Sequence, residues 1–246
     1  VRRARADARG LDYQITLANL QRRIFGLQDA EPTVDRYRLR RMLGQGAAGV
    51  VYAAHDPKLD RDVALKVIPN RGNEGHLAEA RAIAKVSHPN VVTVHEVGAT
   101  DSGSLFITME LVDGETLRDW TEASAHRLRD LLAMYRQVGD GLEAVHMAGL
   151  VHGDFKPDNV LVGRDGRPRV ADFGLARIHE SSGPLPAAAD GPRAPADGLP
   201  LERLFDQDSW SQGKLGTPRY MAPEQHLGRR VDARADQFAF CVALHA

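Results

Sequence analysis

Within the run Val151-His152-Gly153-Asp154-Phe155-Lys156-Pro157-Asp158-Asn159 stand a carboxylate, an ammonium and an amide, and Asp172 opens Asp172-Phe173-Gly174 thirteen residues after Asn159. This set suits transfer of a metal-bound phosphoryl group. That reaction asks a protein for little covalent chemistry; it asks for a positioned nucleophile and for positive charge around the phosphates. On this reading Asp154 accepts the proton of a substrate hydroxyl, and Lys156 reaches the transferred phosphate as a compact point charge. Asn159 offers a neutral oxygen, and Asp172 a harder carboxylate, to divalent ions that bridge phosphates. Gly174 lets the backbone after Phe173 take angles closed to other residues.

A second, independent signal lies upstream. Gly44-Gln45-Gly46-Ala47-Ala48-Gly49-Val50-Val51 reads as strand, glycine turn, strand, with β-branched Val50 and Val51 resuming the pleat. Glycines let backbone N–H groups approach phosphate oxygens closely. A dinucleotide fold needs a helix directly after the third glycine; here Val50-Val51-Tyr52 follows instead. The next run, Val63-Ala64-Leu65-Lys66-Val67-Ile68, is a short apolar strand with one lysine in its middle, and such a lysine needs an anionic partner. The expected partner is Glu79, with Glu74 as a rival. Glu79 lies in an alanine-rich helical stretch ending before His88-Pro89-Asn90, and it borders the apolar stripe of Leu77, Ala80, Ile83 and Ala84.

Taken in order, these motifs from Tyr37 to Ala246 resemble the catalytic domain of bacterial eukaryotic-like Ser/Thr protein kinases. The resemblance implies an α+β, bilobal protein-kinase-like fold, with a small β-rich N-lobe and an incomplete, mainly α C-lobe. It implies ATP with Mg2+ (or Mn2+) as cofactors and proteins with Ser or Thr acceptors as partners. Leu43, Gly44, Gly46, Gly49, Val51, Ala64, Lys66, Met109, Glu110, Val112 and Leu161 would then form the ATP site. Within it Lys66 contacts the α- and β-phosphates, Met109 stands behind the adenine, and backbone groups of Glu110 and Val112 pair with the adenine edge. Val51, Ala64 and Leu161 form its apolar ceiling and floor. Asn159 and Asp172 are the implied metal ligands; Asp154, Lys156, Lys66, Glu79 and Thr217 are the implied catalytic set. Thr217, in Gly216-Thr217-Pro218-Arg219-Tyr220-Met221-Ala222-Pro223-Glu224, would bond to Asp154 and Lys156, as in enzymes that accept Ser or Thr. Asp236 matches the buried aspartate that braces the catalytic loop.

Two features depart from the family pattern. Gly153 stands where most regulated members carry arginine, so the basic pocket for a phosphorylated activation loop lacks its usual centre and activation by loop phosphate is not expected. The same His-Gly-Asp occurs in aminoglycoside-phosphotransferase-like enzymes, but Lys156, Asp172-Phe173-Gly174 and the Thr217 to Glu224 run are not needed by those. A pseudokinase that binds partners without catalysis is the other alternative, opposed by intact Lys66, Asp154, Asn159 and Asp172. The second departure is length: the segment from Asp172 to Glu224 is long, and residues 181–208, mostly Pro, Ala, Gly and Asp, are expected to form a mobile insert. Ser209 and Ser211 are candidate autophosphorylation sites.

With 246 residues, 43% hydrophobic and a net charge of −1, the chain has no field favouring nucleic acid or an anionic membrane. No apolar run approaches the ~20 residues of a membrane span. The composition suits a cytoplasmic domain whose parent is anchored, if at all, through a segment outside this chain; nothing in it sets the oligomeric state. Lone Cys241 is expected to be a small buried hydrophobe on a helix beginning near Asp232. That helix is expected to be buried on most sides in a complete lobe. The start at Val1 and the end at Ala246, inside an apolar helical run, suggest a fragment of a longer reading frame. The expected organisation is an extension over 1–33, an N-lobe over 34–113 and a C-lobe over 114–246. The extension is either an amphipathic helix docking on the kinase or a linker from an upstream domain.

Overall fold

The computed structural model describes residues 32–46, 49–68, 80–100, 103–172 and 218–245. Glu79 and its rival Glu74, Thr217, the expected insert over 181–208, Ser209, Ser211, Phe173 and Gly174, and residues 1–31 of the N-terminal extension lie outside these residues.

The first part is an antiparallel sheet of β1 (Thr33–Val34), β2 (Tyr37–Gly46), β3 (Gly49–Asp56), β4 (Arg61–Ile68), β5 (Val94–Ala99) and β6 (Leu105–Glu110), in the order β1-β2-β3-β4-β6-β5. Side chains alternate between the faces of a strand, so register decides which of them meet. Lys66 lies opposite Val51 and Ile107, and Ala64 opposite Ala53 and Met109. One face therefore carries Val51, Ala64, Lys66 and Met109. The other packs Val50, Tyr52, Val63, Leu65, Val67 and Phe106 into the core of the small lobe with Tyr37 and Leu39. At one end of that core, Arg36 Nε bonds to Asp56 Oδ1 at 3.2 Å while its other nitrogens reach Glu96; Tyr37 Oη donates to Glu96 at 2.6 Å.

Residues 80–83 are helical, and Ala80 and Ile83 are buried. The chain then passes through the His88-Pro89-Asn90 turn to β5. After β6 come β7 (Gly114–Thr116), α1 (Leu117–Ala123) and the long α2 (Leu128–Met147). Thr116 caps α1 by accepting from Asp119 N. A 3-10 turn at Pro157–Asn159 leads into β8 (Val160–Gly163), which pairs with both β7 and β9 (Pro168–Val170). The last described elements are a 3-10 turn at Pro218–Tyr220, the short α3 (Pro223–His226) and α4 (Ala233–His245). The large core joins α2 (Met134, Tyr135, Val138, Leu142, Val145) to Phe155, Val160, Val170 and α4, and runs on to Ile68, Ile83 and Ile107 beneath the first sheet. This is the bilobal α+β arrangement expected from the motifs. Among the described residues no helix is long and apolar enough to cross a membrane.

One expectation for α4 needs correction. It buries the stripe Ala235, Asp236, Ala239 and Ala243, a spacing of three to four residues that defines one helical face. Cys241 is two residues from both Ala239 and Ala243 and so falls on the opposite face; it is exposed, not a buried hydrophobe. On the same helix Phe238 retains 41% exposure, whereas Phe240 packs on Tyr135 and Phe155 with ring centroids 5.7 and 6.0 Å apart.

Candidate active site

The run from His152 to Asn159 forms a loop between α2 and β8, and α4 braces it. Asp236, 1% exposed, accepts from His152 N at 2.7 Å and from Gly153 N at 2.8 Å, and lies 2.8 Å from His146 Nε2. A buried carboxylate is tolerated when donors surround it in this way. His152, fully buried, bonds through Nε2 to Ala171 O at 2.9 Å, tying the loop to the residue before Asp172. The Asp154 and Lys156 side chains point to one another, with Nζ 3.3 Å from Oδ2. Asp154 O accepts from Asn159 Nδ2 at 2.8 Å. That bond directs the amide nitrogen inward and leaves the carbonyl oxygen as the end suited to a cation.

Strand pairing brings the two implied metal ligands together. Val160 lies opposite Val170, and the pairing continues outward with Ala171 N donating to Asn159 O at 2.8 Å. Asp172 is the next residue. Its φ is +54°, uncommon for a residue with a side chain, and its Oδ1 lies 2.9 Å from Lys66 Nζ. Burial alone would push the Asp172 carboxyl upward; the charge and hydrogen bond of Lys66, aided by His152 and Lys156, outweigh it and hold the group below the ordinary carboxylate value. Lys66 is 5% exposed. It thus has an anionic partner, as its place in an apolar strand demands, and the partner described is Asp172, 106 residues away. The expected Glu79 lies outside the described residues.

Around Lys66 the ATP-site candidates fall into three groups. Gly44 and Gly46 sit on β2 with open space where a side chain would be, and Leu43 beside them is exposed. Gly49 differs: at φ +130°, a Cβ on it would lie 2.2 Å from Val67 O, so only glycine fits where β3 leaves the turn. Ala64 is buried, and Val51 and Leu161 are partly buried. Met109 borders a largely apolar cavity of about 30 Å³ that it shares with Lys66, Ile83, Val94, Ile107 and Asp172. At the end of β6, Glu110 N donates to Thr93 O at 2.9 Å and its carboxylate pairs with Arg169 Nε at 2.9 Å. Val112 is partly buried just beyond it.

Three supports of this site were not read from the sequence. Gln225 on α3 donates through Nε2 to Gly153 O at 2.8 Å. Arg118 on α1 grips Asp158 with two bonds of 2.7 Å and reaches Tyr220 Oη at 3.3 Å; the bond to Arg118 holds the Asp158 carboxyl below its ordinary value. Arg169 joins Glu110 to Asp165, which it meets at 2.8 Å. Gln225 and Gly153 are 72 residues apart, and Arg118 and Asp158 are 40 apart. No local spacing signals such pairs. A charged residue in α1 and an unassigned aspartate, Asp158, in the loop were the one available hint.

Comparison with known proteins gives a consistent result. Residues 37–246 match the family described as protein kinase domain. The chain is 33% identical over 218 residues to the serine/threonine-protein kinase PknA of Mycobacterium tuberculosis, covering 84% of this chain and 45% of PknA. It is 33% identical over 225 residues to the serine/threonine-protein kinase pkn3 of Myxococcus xanthus, covering 85% and 37%. With the DNA damage-responsive serine/threonine-protein kinase RqkA of Deinococcus radiodurans it shares 35% over 217 residues, covering 85% and 29%. The chain thus spans less than half the length of these curated relatives. Protein kinases work with ATP and a divalent cation, and the lysine, carboxylate and amide brought together here are of the right chemistry for both. By the extent of this match, the chain belongs to the protein kinase domain family.

Proposed function

We propose that this chain is the catalytic domain of an ATP-dependent protein serine/threonine kinase, acting on other proteins and on itself. The observation that carries the reading is the convergence of Lys66, Asp172, Asn159, Asp154 and Lys156 through the Lys66–Asp172 pair at 2.9 Å and the Asn159 bonds to Asp154 O and Ala171 N. The names of the relatives support the Ser/Thr acceptor. In the reaction the acceptor hydroxyl oxygen forms a bond to the γ-phosphorus, the bond to the bridging β,γ-oxygen breaks, and ADP leaves. Asp154 receives the hydroxyl proton, and Lys156 neutralises charge on the phosphoryl oxygens in flight. Lys66 steadies the α- and β-phosphates, and the open positions at Gly44 and Gly46 give the nucleotide room for close backbone approach. Asn159 and Asp172 would hold Mg2+, which when bound screens the phosphate charge. On this reading Val51, Ala64, Met109, Val112 and Leu161 would surround the adenine, with backbone groups of Glu110 and Val112 pairing with its edge. Glu79 and Thr217 keep their roles as positioning partners of Lys66 and of the Asp154–Lys156 pair.

The test is incorporation of radiolabelled phosphate from ATP into the protein itself or a generic protein substrate, followed by phosphoamino-acid analysis. Phosphoserine or phosphothreonine is expected, and Asp154→Ala is expected to abolish the signal. Incorporation that survives the substitution removes Asp154 from the base role. Phosphotyrosine as the main product, or transfer only to an aminoglycoside, overturns the acceptor class.

A further inference from the structure

The peptide that joins Gly153 to Asp154 carries the residue proposed as the base, and both of its polar groups are held. Its N–H is directed to His152 Nδ1 at 3.3 Å, and its carbonyl accepts from Gln225 Nε2 at 2.8 Å. Gly153 adopts φ +73°, and a Cβ there would meet nothing within 4 Å. A glycine in open space contributes no side-chain restraint and has the widest backbone freedom of any residue. The restraint at this point of the loop therefore comes from the bonds to its backbone: Asp236 on the N–H and Gln225 on the carbonyl.

Gln225 is built for this contact. It is 9% exposed, and its Oε1 accepts from Ala222 N at 2.9 Å. Since the carbonyl end of the amide must face that donor, the NH2 end must face Gly153 O. The space enclosed with Asp154, Tyr220 and Asp236 is about 10 Å³, the lower limit for one water, so solvent is a poor replacement for a lost amide.

We infer that Gln225 is a positioning residue for phosphoryl transfer: by holding the Gly153 carbonyl it sets the plane of the Gly153–Asp154 peptide, and hence the aim of the Asp154 carboxylate, and it makes that aim depend on the docking of residues 218–226. The inference rests on the kinase reading proposed above. It gives the loop a tether from α3 at the position whose side chain is absent.

Two variants separate positioning from general stability. Gln225→Leu removes the amide at similar volume; kcat is expected to fall roughly 10- to 100-fold, the cost of a misplaced catalytic group, with the KM for ATP within about twofold. Gln225→Glu keeps an acceptor for Ala222 N but, when ionised, has no proton for Gly153 O. Asp154 from the loop, Asp236 from α4 and Tyr220 border the same space; Lys156 pairs with Asp154, His146 with Asp236, and Arg118 reaches the Tyr220 hydroxyl. Two nearby carboxylates raise the pKa of a third, so the variant's carboxyl regains a donor proton as pH falls. The ratio of Gln225→Glu to wild-type kcat is expected to rise about threefold or more from pH 8 to pH 6. A flat ratio, or wild-type kcat in Gln225→Leu, overturns the inference. If Gln225→Leu does not fold, the pH ratio decides. If the wild-type chain transfers no phosphate, the kinase reading fails instead, and hydrogen–deuterium exchange over residues 150–156 decides: faster exchange in Gln225→Glu at pH 8 supports the tether, unchanged exchange overturns it.

Discussion

Replacing Asp236 tests whether one buried carboxylate holds the catalytic loop. In Asp236→Ala the His152 and Gly153 N–H groups, bonded at 2.7 and 2.8 Å, lose their acceptor together. His152 is fully buried. Each unsatisfied buried donor costs about 1–3 kcal/mol, so the pair amounts to about 2–6 kcal/mol. His146 is partly exposed and can turn to water, so it adds little. Set against the ~5–15 kcal/mol that holds a typical domain together, the loss is severe. Asp236→Asn keeps one accepting oxygen and turns an NH2 toward the other donor, so its cost is about half, roughly 1–3 kcal/mol. Urea unfolding followed by far-UV circular dichroism measures both, and amide exchange at His152 and Gly153 localises the effect. The expected order of midpoints is wild type, then Asn, then Ala, with exchange accelerated first in the loop. A change within about 0.5 kcal/mol for Asp236→Ala, the range of an ordinary surface substitution, would refute the argument.

Gly141→Ala places a Cβ 2.4 Å from Asn90 O, where α2 meets the turn that also bonds Pro168 O and Val170 N; a loss of about 1–3 kcal/mol in urea unfolding is expected from the overpacking. Gly49→Ala meets Val67 O at 2.2 Å and an unfavourable φ; it is expected to destabilise the small lobe by a similar ~1–3 kcal/mol and to weaken Mg-ATP binding in a fluorescence titration. The Arg36 cluster predicts a pH profile. The bond to Arg36 holds Glu96 below its ordinary pKa; at Asp56, burial pushes upward but the Arg36 bond outweighs it. Their contribution is present above the unfolded carboxylate values and is lost as pH falls through the depressed folded ones. Burial and the bond to Glu96 push Tyr37 up to about 12, so its contribution is complete below pH ~10 and is lost as pH rises through 12. Thermal melts from pH 2 to 12 should show a lower neutral-pH midpoint and a smaller fall on acidification in Arg36→Met, because the stabilisation lost there is already missing; an unchanged acid limb would remove the cluster from the account.

What the sequence marked by itself was a phosphoryl-transfer chemistry and the candidate residues to carry it. Asp154, Lys156, Asn159 and Asp172 are legible as candidates because they sit in short runs, where covalent spacing already limits how far apart they can lie. Lys66 is legible because a lysine in an apolar strand demands an anion. The two strands that end at Gly46 and begin at Gly49 are legible for the same local reason. The small β-rich lobe and the helical remainder were implied by the resemblance these motifs carry, while the residues themselves showed only local pieces such as the strands around Gly49 and Lys66.

Tertiary structure decided the partners. Which anion meets Lys66 among the described residues depends on how the loop carrying Asp172 lies beneath β4, and no spacing rule spans the 106 residues between them. The exposure of Cys241 depends on which face of α4 turns inward, and that choice was made by Ala235, Asp236 and Ala239 packing near Tyr220 and Phe155. The tethers of Gln225 to Gly153, Arg118 to Asp158 and Arg169 to Glu110 are contacts between elements placed by the packing of α2 and the β8–β9 pair. Side-chain chemistry is written in residue type and near neighbours. Orientation of the loop that uses it is set by hydrogen bonds that exist only once distant segments have been brought together.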